Sequence, residues 1–187
     1  MENVQATTVK TQTQTLDLVY VAMGAALIAI CSWISIPTTV PFTLQTFAVF
    51  LLVSLLGGKR GFMTALVYML LGVVGLPVFA GFSSGVGALF GAAGGYIVGF
   101  LFIGIIYLFF TKAFGRTIVT EAIALVLGLA ACYAFGTAWF INVYSKANGA
   151  IGIMAALGWC VFPFIIPDLL KLALALIIAR RIRPVIK

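Results

Sequence analysis

The stretch "PDLLK", residues 167–171, carries the two side chains with the most chemical potential in this chain. Asp168 and Lys171 interrupt "IIPDLLKLALALIIARR" (165–181), which is otherwise apolar up to its closing arginines. Residues three apart on a helix project from one face, so a carboxylate and an ammonium are presented together. The carboxylate only accepts hydrogen bonds and the ammonium only donates them. Such a pair suits a ligand that has N–H donors of its own and a carbonyl or carboxylate. The alternative is an internal salt bridge with a structural role. An ionisable residue inside a membrane span is by default a functional one. A pair that only neutralises itself is replaceable by apolar residues at little cost.

Catalysis is poorly served. The chain has no histidine, which removes the commonest general base and metal ligand. Asp168 is the only acid deep in a span, while Asp17 and Glu121 fall near span ends. Cys31, Cys132 and Cys160 are far apart in apolar surroundings and read as small hydrophobes. No catalytic residue, metal site or cofactor is expected. An intramembrane enzyme would need an acid–base or nucleophilic set. A channel would need a polar stripe from side to side, and the third to fifth spans show none. "GGKRG" lacks phosphate-loop spacing, so any ATP-driven step needs a partner.

The elements that position the pair are set by composition. Of 187 residues, 64% are hydrophobic and 8% charged. Soluble domains carry about 25% charged residues, so most of this chain belongs in lipid. Crossing the hydrocarbon takes roughly 20 helical residues. Six spans are expected: 16–36, 43–56 (short), 61–79, 91–110, 118–142 and 163–182. A polar segment, 1–15, precedes a single membrane domain, 16–187. Six crossings place Lys10, Lys59, Arg60, Lys112, Arg116, Arg180, Arg181, Arg183 and Lys187 on one side, and only Lys146 on the other. Basic residues mark the cytoplasmic side, so both termini are expected there. The formal charge of +7 therefore reflects topology and not nucleic-acid binding. No cleaved signal peptide is expected, because the first span is too long for one. The three outer connections are long, apolar and rich in Gly, Pro and aromatics. Irregular backbone at membrane depth is tolerated where protein buries it or a cavity borders it. These segments are therefore expected to cap an outward-facing pocket. Pro163 and Pro167 suit a first helical turn, which predicts a helix opening near Pro167 with Asp168 in its first turn.

With these residues in view, the chain resembles the BioY family, the biotin-binding substrate components of energy-coupling factor transporters. The resemblance rests on "VPFTLQTFAVFLL" (40–52), "LGGKRGFMTALVYMLLGVVGLPVFAGF" (56–82), "GVGALFGAAGGYIVGF" (85–100) and "PDLLK". It covers about residues 16–184. Ser83–Ser84 and Ala92–Ala93 depart from the family, which often has a glycine pair and Pro-Thr there. The resemblance implies a six-helix protein of a prokaryotic cell membrane that captures biotin from outside. It implies partners too: a transmembrane coupling subunit and two cytoplasmic ATPases.

Substrate contacts are expected from Asp168, Lys171, Gln45, Thr43, Tyr96, Phe79, Gly85 and Gly87. Gln45 offers an acceptor and two donors, a match to a ureido ring, but could equally mark the membrane interface. The glycines permit backbone approach to ligand or to a neighbouring helix. Gly95 and Gly99, four apart, make a close-packing face. Trp33, Trp139, Tyr144 and Trp159 read mostly as interfacial anchors. Ala22 and Ala26, with Ala25 beside them, form a small-residue stripe on the first span. The resemblance makes that stripe the coupling-subunit docking surface; packing inside the bundle is the alternative.

Overall fold

Helix α1 runs Glu2–Trp33, and its apolar run begins at Leu16. The computed structural model describes residues 2–185, with side chains from Gln14 onward. The side chains of Lys10 and Lys187 lie outside that set. A two-residue antiparallel ladder follows, β1 (Ser35–Ile36) on β2 (Phe42–Thr43), and is the one exception to an all-helical chain among the described residues. Then come α2 (Gln45–Leu56), α3 (Gly58–Val74), a 3₁₀ turn (Ala80–Phe82) and α4 (Gly85–Leu89). The rest is α5 (Gly94–Phe114), α6 (Ile118–Asn148), α7 (Ile153–Cys160) and α8 (Phe162–Ile182).

Among the described residues, four segments are long and apolar enough to cross a membrane: Gln14–Trp33, Gly94–Phe114, Ile118–Asn148 and Ile153–Ile182. At 1.5 Å per residue, α2 is about 18 Å long and α3 about 26 Å, both shorter than the hydrocarbon. Many large apolar side chains point outward, Met23, Leu18, Phe109, Ile166 and Leu170 among them. An outer face of this kind is matched to lipid and not to water.

The long helices alternate in direction. Asp17 pairs with Arg60 and Gly24 packs on Thr64, so α1 and α3 are parallel. Gly58 abuts Leu108 and Gly104 abuts Phe62, which makes α3 and α5 antiparallel. Gly95 against Trp139 and Gly99 against Cys132 set α6 antiparallel to α5. Those two glycines let the α5 backbone come close; a Cβ at either would collide with α6. Thr46 meets Asp168 and Ser54 meets Arg183, so α8 runs parallel to α2.

One end of the bundle is cationic. Glu121 is 0% exposed in the first turn of α6. Its Oε1 accepts from Arg116 Nε at 3.1 Å and from Arg183 Nη2 at 2.9 Å, and Arg180 lies 4.0 Å from Oε2. Arg116 and Arg183 both also donate to the Ser54 carbonyl in the last turn of α2. Helix C-termini leave carbonyls without intrahelical partners and carry partial negative charge, so guanidinium groups fit there. Lys146 stands at the far end of α6.

Several boundaries differ from expectation. Helix α3 stops at Val74, short of Phe79, because Gly75 turns left-handed (φ 111°) and Leu76 N–H closes on the Leu71 carbonyl. Helix α6 continues to Asn148, since polar residues do not end a helix; Gly149 (φ 91°) does. Helix α8 opens at Phe162, with Pro163 in its first turn and Pro167 inside it. Asp168 is therefore in the second turn, and the open helix start expected beside it is absent. Pro167 has no N–H to give the Pro163 carbonyl one turn earlier.

Candidate functional site

Opposite the cationic end, the two parallel helices α2 and α8 converge under the β1–β2 corner. Thr43 Oγ1 accepts from the Gln45 N–H at 3.2 Å, a local bond that turns the chain into α2. The Thr43 carbonyl is left pointing at α8, where Lys171 Nζ donates to it at 2.7 Å. Lys171 Nζ also donates to Thr46 Oγ1 at 3.2 Å and to Asp168 Oδ1 at 2.9 Å. It lies 4.1 Å from the Phe42 ring centroid, close enough for a cation–π contact. Thr46 Oγ1 donates onward to Asp168 Oδ1 at 2.9 Å, and Tyr133 Oη donates to Asp168 Oδ2 at 2.6 Å. Asp168 is 2% exposed and Lys171 9%. Taking these charges out of water is expensive unless every polar atom finds a partner. Three helices and the β2 strand supply those partners, so the pair is a junction of α2, α6 and α8.

The junction is also the wall of a cavity of about 120 Å³. Its polar side holds Thr43, Gln45, Thr46, Tyr133, Asp168 and Lys171. Its apolar side is built by Phe79, Ile97, Phe100 and Leu129, with Tyr96, Cys132 and Cys160 adjoining. Loop residues Val40, Pro41, Ala80 and Ser83 close the rest. Of these Ser83 is exposed and marks the open side.

The residues expected from the sequence divide here. Asp168, Lys171, Thr43, Gln45, Tyr96 and Phe79 come together on the lining. Gln45 Nε2 donates to Tyr68 Oη at 2.6 Å, and Tyr68 donates to the Val78 carbonyl at 3.0 Å. Phe79 sits edge-on to Tyr68 with its ring against Gly72, where no side chain would fit. Tyr96 Oη bonds Thr137 Oγ1 at 2.9 Å, so its ring faces the cavity while its hydroxyl is engaged elsewhere. Gly85 and Gly87 are not on the lining; α4 contributes Ala88 instead, and both glycines face open space. Both departures from the family pattern reach the cavity, through Ser83 and Ala93.

Thr46 and Tyr133 were missed. The available signals were a threonine one turn beyond Thr43, and a phenol within an apolar span, whose hydroxyl must find a partner when buried. Of the aromatic anchors, Trp33 donates to the Pro77 carbonyl and stacks on Phe82, and Trp139 donates to the Gly91 carbonyl. Both therefore staple loops at the cavity end of the bundle. On α1, Ala22 and Ala26 are exposed. Ala25 is 1% exposed and faces the bundle core, so it is not part of an outer docking surface. Among the described residues, no three His, Cys, Asp or Glu side chains are grouped as metal ligands.

A model of the BioY family matches residues 4–187, and so spans both the Asp168–Lys171 junction and the cavity. The chain belongs to the BioY family. A "probable biotin transporter BioY" from Pyrococcus horikoshii is 38% identical over 164 residues, 87% of this chain and 93% of that protein. The "biotin transporter BioY" of Thermotoga maritima is 38% identical over 168 residues, 89% of this chain and 95% of that one. Among solved structures, an S-component for biotin from an ECF-type ABC transporter superposes with a TM-score of 0.81. It is 27% identical, with 92% of this chain and 93% of that chain covered.

Proposed function

We propose that this chain captures biotin as the membrane-embedded substrate-binding component of an energy-coupling factor transporter. It is a transport component and not an enzyme. The observation that carries the reading is the buried Asp168 carboxylate on the cavity wall, in a chain whose relatives are biotin transporters. A carboxylate offers about four lone-pair sites, and three are used by Lys171, Thr46 and Tyr133. The remaining site suits a ureido N–H. Phe79, Ile97, Phe100 and Leu129 suit the sulfur ring and methylene chain.

The alternating helix directions support the membrane arrangement. Helices α1, α3 and α6 run one way and α2, α5 and α8 the other, which agrees with six crossings. The Glu121–arginine end then faces the cytoplasm with both termini, and the cavity faces outward, in the cell membrane of a prokaryote. The short α2 reaches across only with the help of the β1–β2 corner above it. The exposed Ala22 and Ala26 give a partner helix close access, so α1 is the side on which a coupling subunit docks. That subunit and two cytoplasmic ATPases would supply the energy this chain has no residues to harvest.

The test is calorimetric titration of biotin into the purified chain without any ATPase. One-site binding is expected. No heat with biotin, together with binding of a different vitamin, would transfer the chain to another substrate.

A further inference from the structure

Biotin has two polar ends, and the cavity treats them unequally. One end is the ureido ring, with two N–H donors and a carbonyl. The other is a carboxylate on a flexible chain. Lys171 is the only lysine or arginine among the described residues that line the cavity. An ammonium has three protons to donate. All three are placed, on the Thr43 carbonyl, Thr46 Oγ1 and Asp168 Oδ1. The Phe42 ring covers a further side. The first turn of α5 also borders the cavity at Ala93. There the Gly94 N–H is given to the Gly91 carbonyl and the Tyr96 N–H to the Ala93 carbonyl.

The polar side keeps one neutral donor, the second proton of Gln45 Nε2, which suits a ureido carbonyl, and it also keeps acceptors. Asp168 keeps one lone-pair site, and the Tyr133 oxygen donates its proton away and can still accept. A second carboxylate set against this wall would face Asp168 as a like charge. It would also have to strip Lys171 from a buried partner, which leaves that partner unsatisfied. At the open side, beside exposed Ser83, the same carboxylate stays hydrated.

We infer that the pocket reads the ureido ring and leaves the carboxylate in water, so its substrate class includes biotins whose carboxylate is capped as an amide or ester. This rests on the biotin reading above. Lys171 then acts as a positioning residue that holds Asp168 and the β2–α2 corner, and not as the carboxylate's counter-ion.

The experiment is competition against radiolabelled biotin on the purified full-length chain. The probes are biotinamide, biotin methyl ester, biotinyl-lysine and 5-phenylpentanoate. The three capped biotins are expected to compete within about fivefold of biotin, and 5-phenylpentanoate not at all. A buried ion pair to the carboxylate would make biotinamide weaker by about tenfold or more, and that result overturns the inference. Competition by 5-phenylpentanoate at biotin-like concentrations overturns it too. The Lys171→Met variant adds a second readout. Biotin and biotinamide should weaken by the same factor; if only biotin weakens, Lys171 reads the carboxylate and the inference fails. Should biotin itself not bind wild-type protein, the capture reading fails first and takes this inference with it.

Discussion

Changing Asp168 to Asn alters one atom's chemistry and almost no shape. The side-chain oxygen can keep accepting from Lys171 and Thr46, each at 2.9 Å. At the other position an NH₂ replaces the Oδ2 acceptor. Tyr133, now donating there at 2.6 Å, must turn and accept. A ligand N–H aimed at the same atom meets another N–H. The lost interaction is a hydrogen bond to a charged group, about 1.5–3 kcal/mol. That corresponds to roughly 10- to 150-fold in Kd. Folding suffers less than binding. Removing one partner of a buried ion pair can cost about 3–5 kcal/mol. Here Lys171 retains the Thr43 carbonyl and Thr46, so about 1–2 kcal/mol is expected. The Asn variant should therefore purify as a folded protein, melt several degrees lower, and bind biotin at least tenfold more weakly by calorimetry. Tyr133→Phe is the companion, since it removes one donor and keeps the charge; a loss of about three- to tenfold is expected. The reasoning is refuted if Asp168→Asn folds and its Kd for biotin stays within about twofold of wild type.

Three further outcomes follow from the fold. A cysteine at position 146 should react with a membrane-impermeant thiol reagent in intact cells, while cysteines replacing Arg60 or Arg116 should not; the reverse pattern would invert the topology. Ala22→Trp and Ala26→Trp should abolish ATP-dependent uptake and copurification of the coupling subunit while leaving biotin affinity within about twofold, because both side chains point away from the core. Loss of biotin affinity in either variant would place that stripe inside the bundle. Glu121→Ala leaves Arg116 and Arg183 facing one another with no counter-ion, and should cost about 2–4 kcal/mol of stability. An unchanged melting temperature would show that the Ser54 carbonyl and Tyr107 Oη satisfy the arginines without it.

Much of the fold was legible because lipid imposes so few solutions. Long apolar runs bounded by basic residues coincide with helices, and among the described residues four of these segments are long and apolar enough to cross a membrane. Errors arose where the ends are set by single backbone conformations. Phe79 looked like the last residue of a span because hydropathy continues through it. Only the left-handed Gly75 and the fold-back of Leu76 reveal that the chain has already turned there. Pro167 misled in the same way. A proline is compatible with a first turn, but Pro163 took that place four residues earlier, and α8 carries the second proline inside it.

The candidate site was legible by rarity. In a chain this apolar, a buried carboxylate, an ammonium and a glutamine stand out, and Asp168, Lys171 and Gln45 do meet at one cavity. Rarity fails for residues that are common in such chains. Glycine density singles out Gly85 and Gly87, yet a missing Cβ says only that something can approach, not what does. In the sequence Tyr133 is one aromatic among many, although its hydroxyl closes the Asp168 network. Nor can sequence say whether a charge is free. Lys171 reads as an available cation from its type and spacing alone. Folding delivers the Thr43 carbonyl from 128 residues away and Thr46 from 125, and the three protons are then committed. That saturation decides which end of a ligand the pocket can read, and it exists only once α2 and α8 lie side by side.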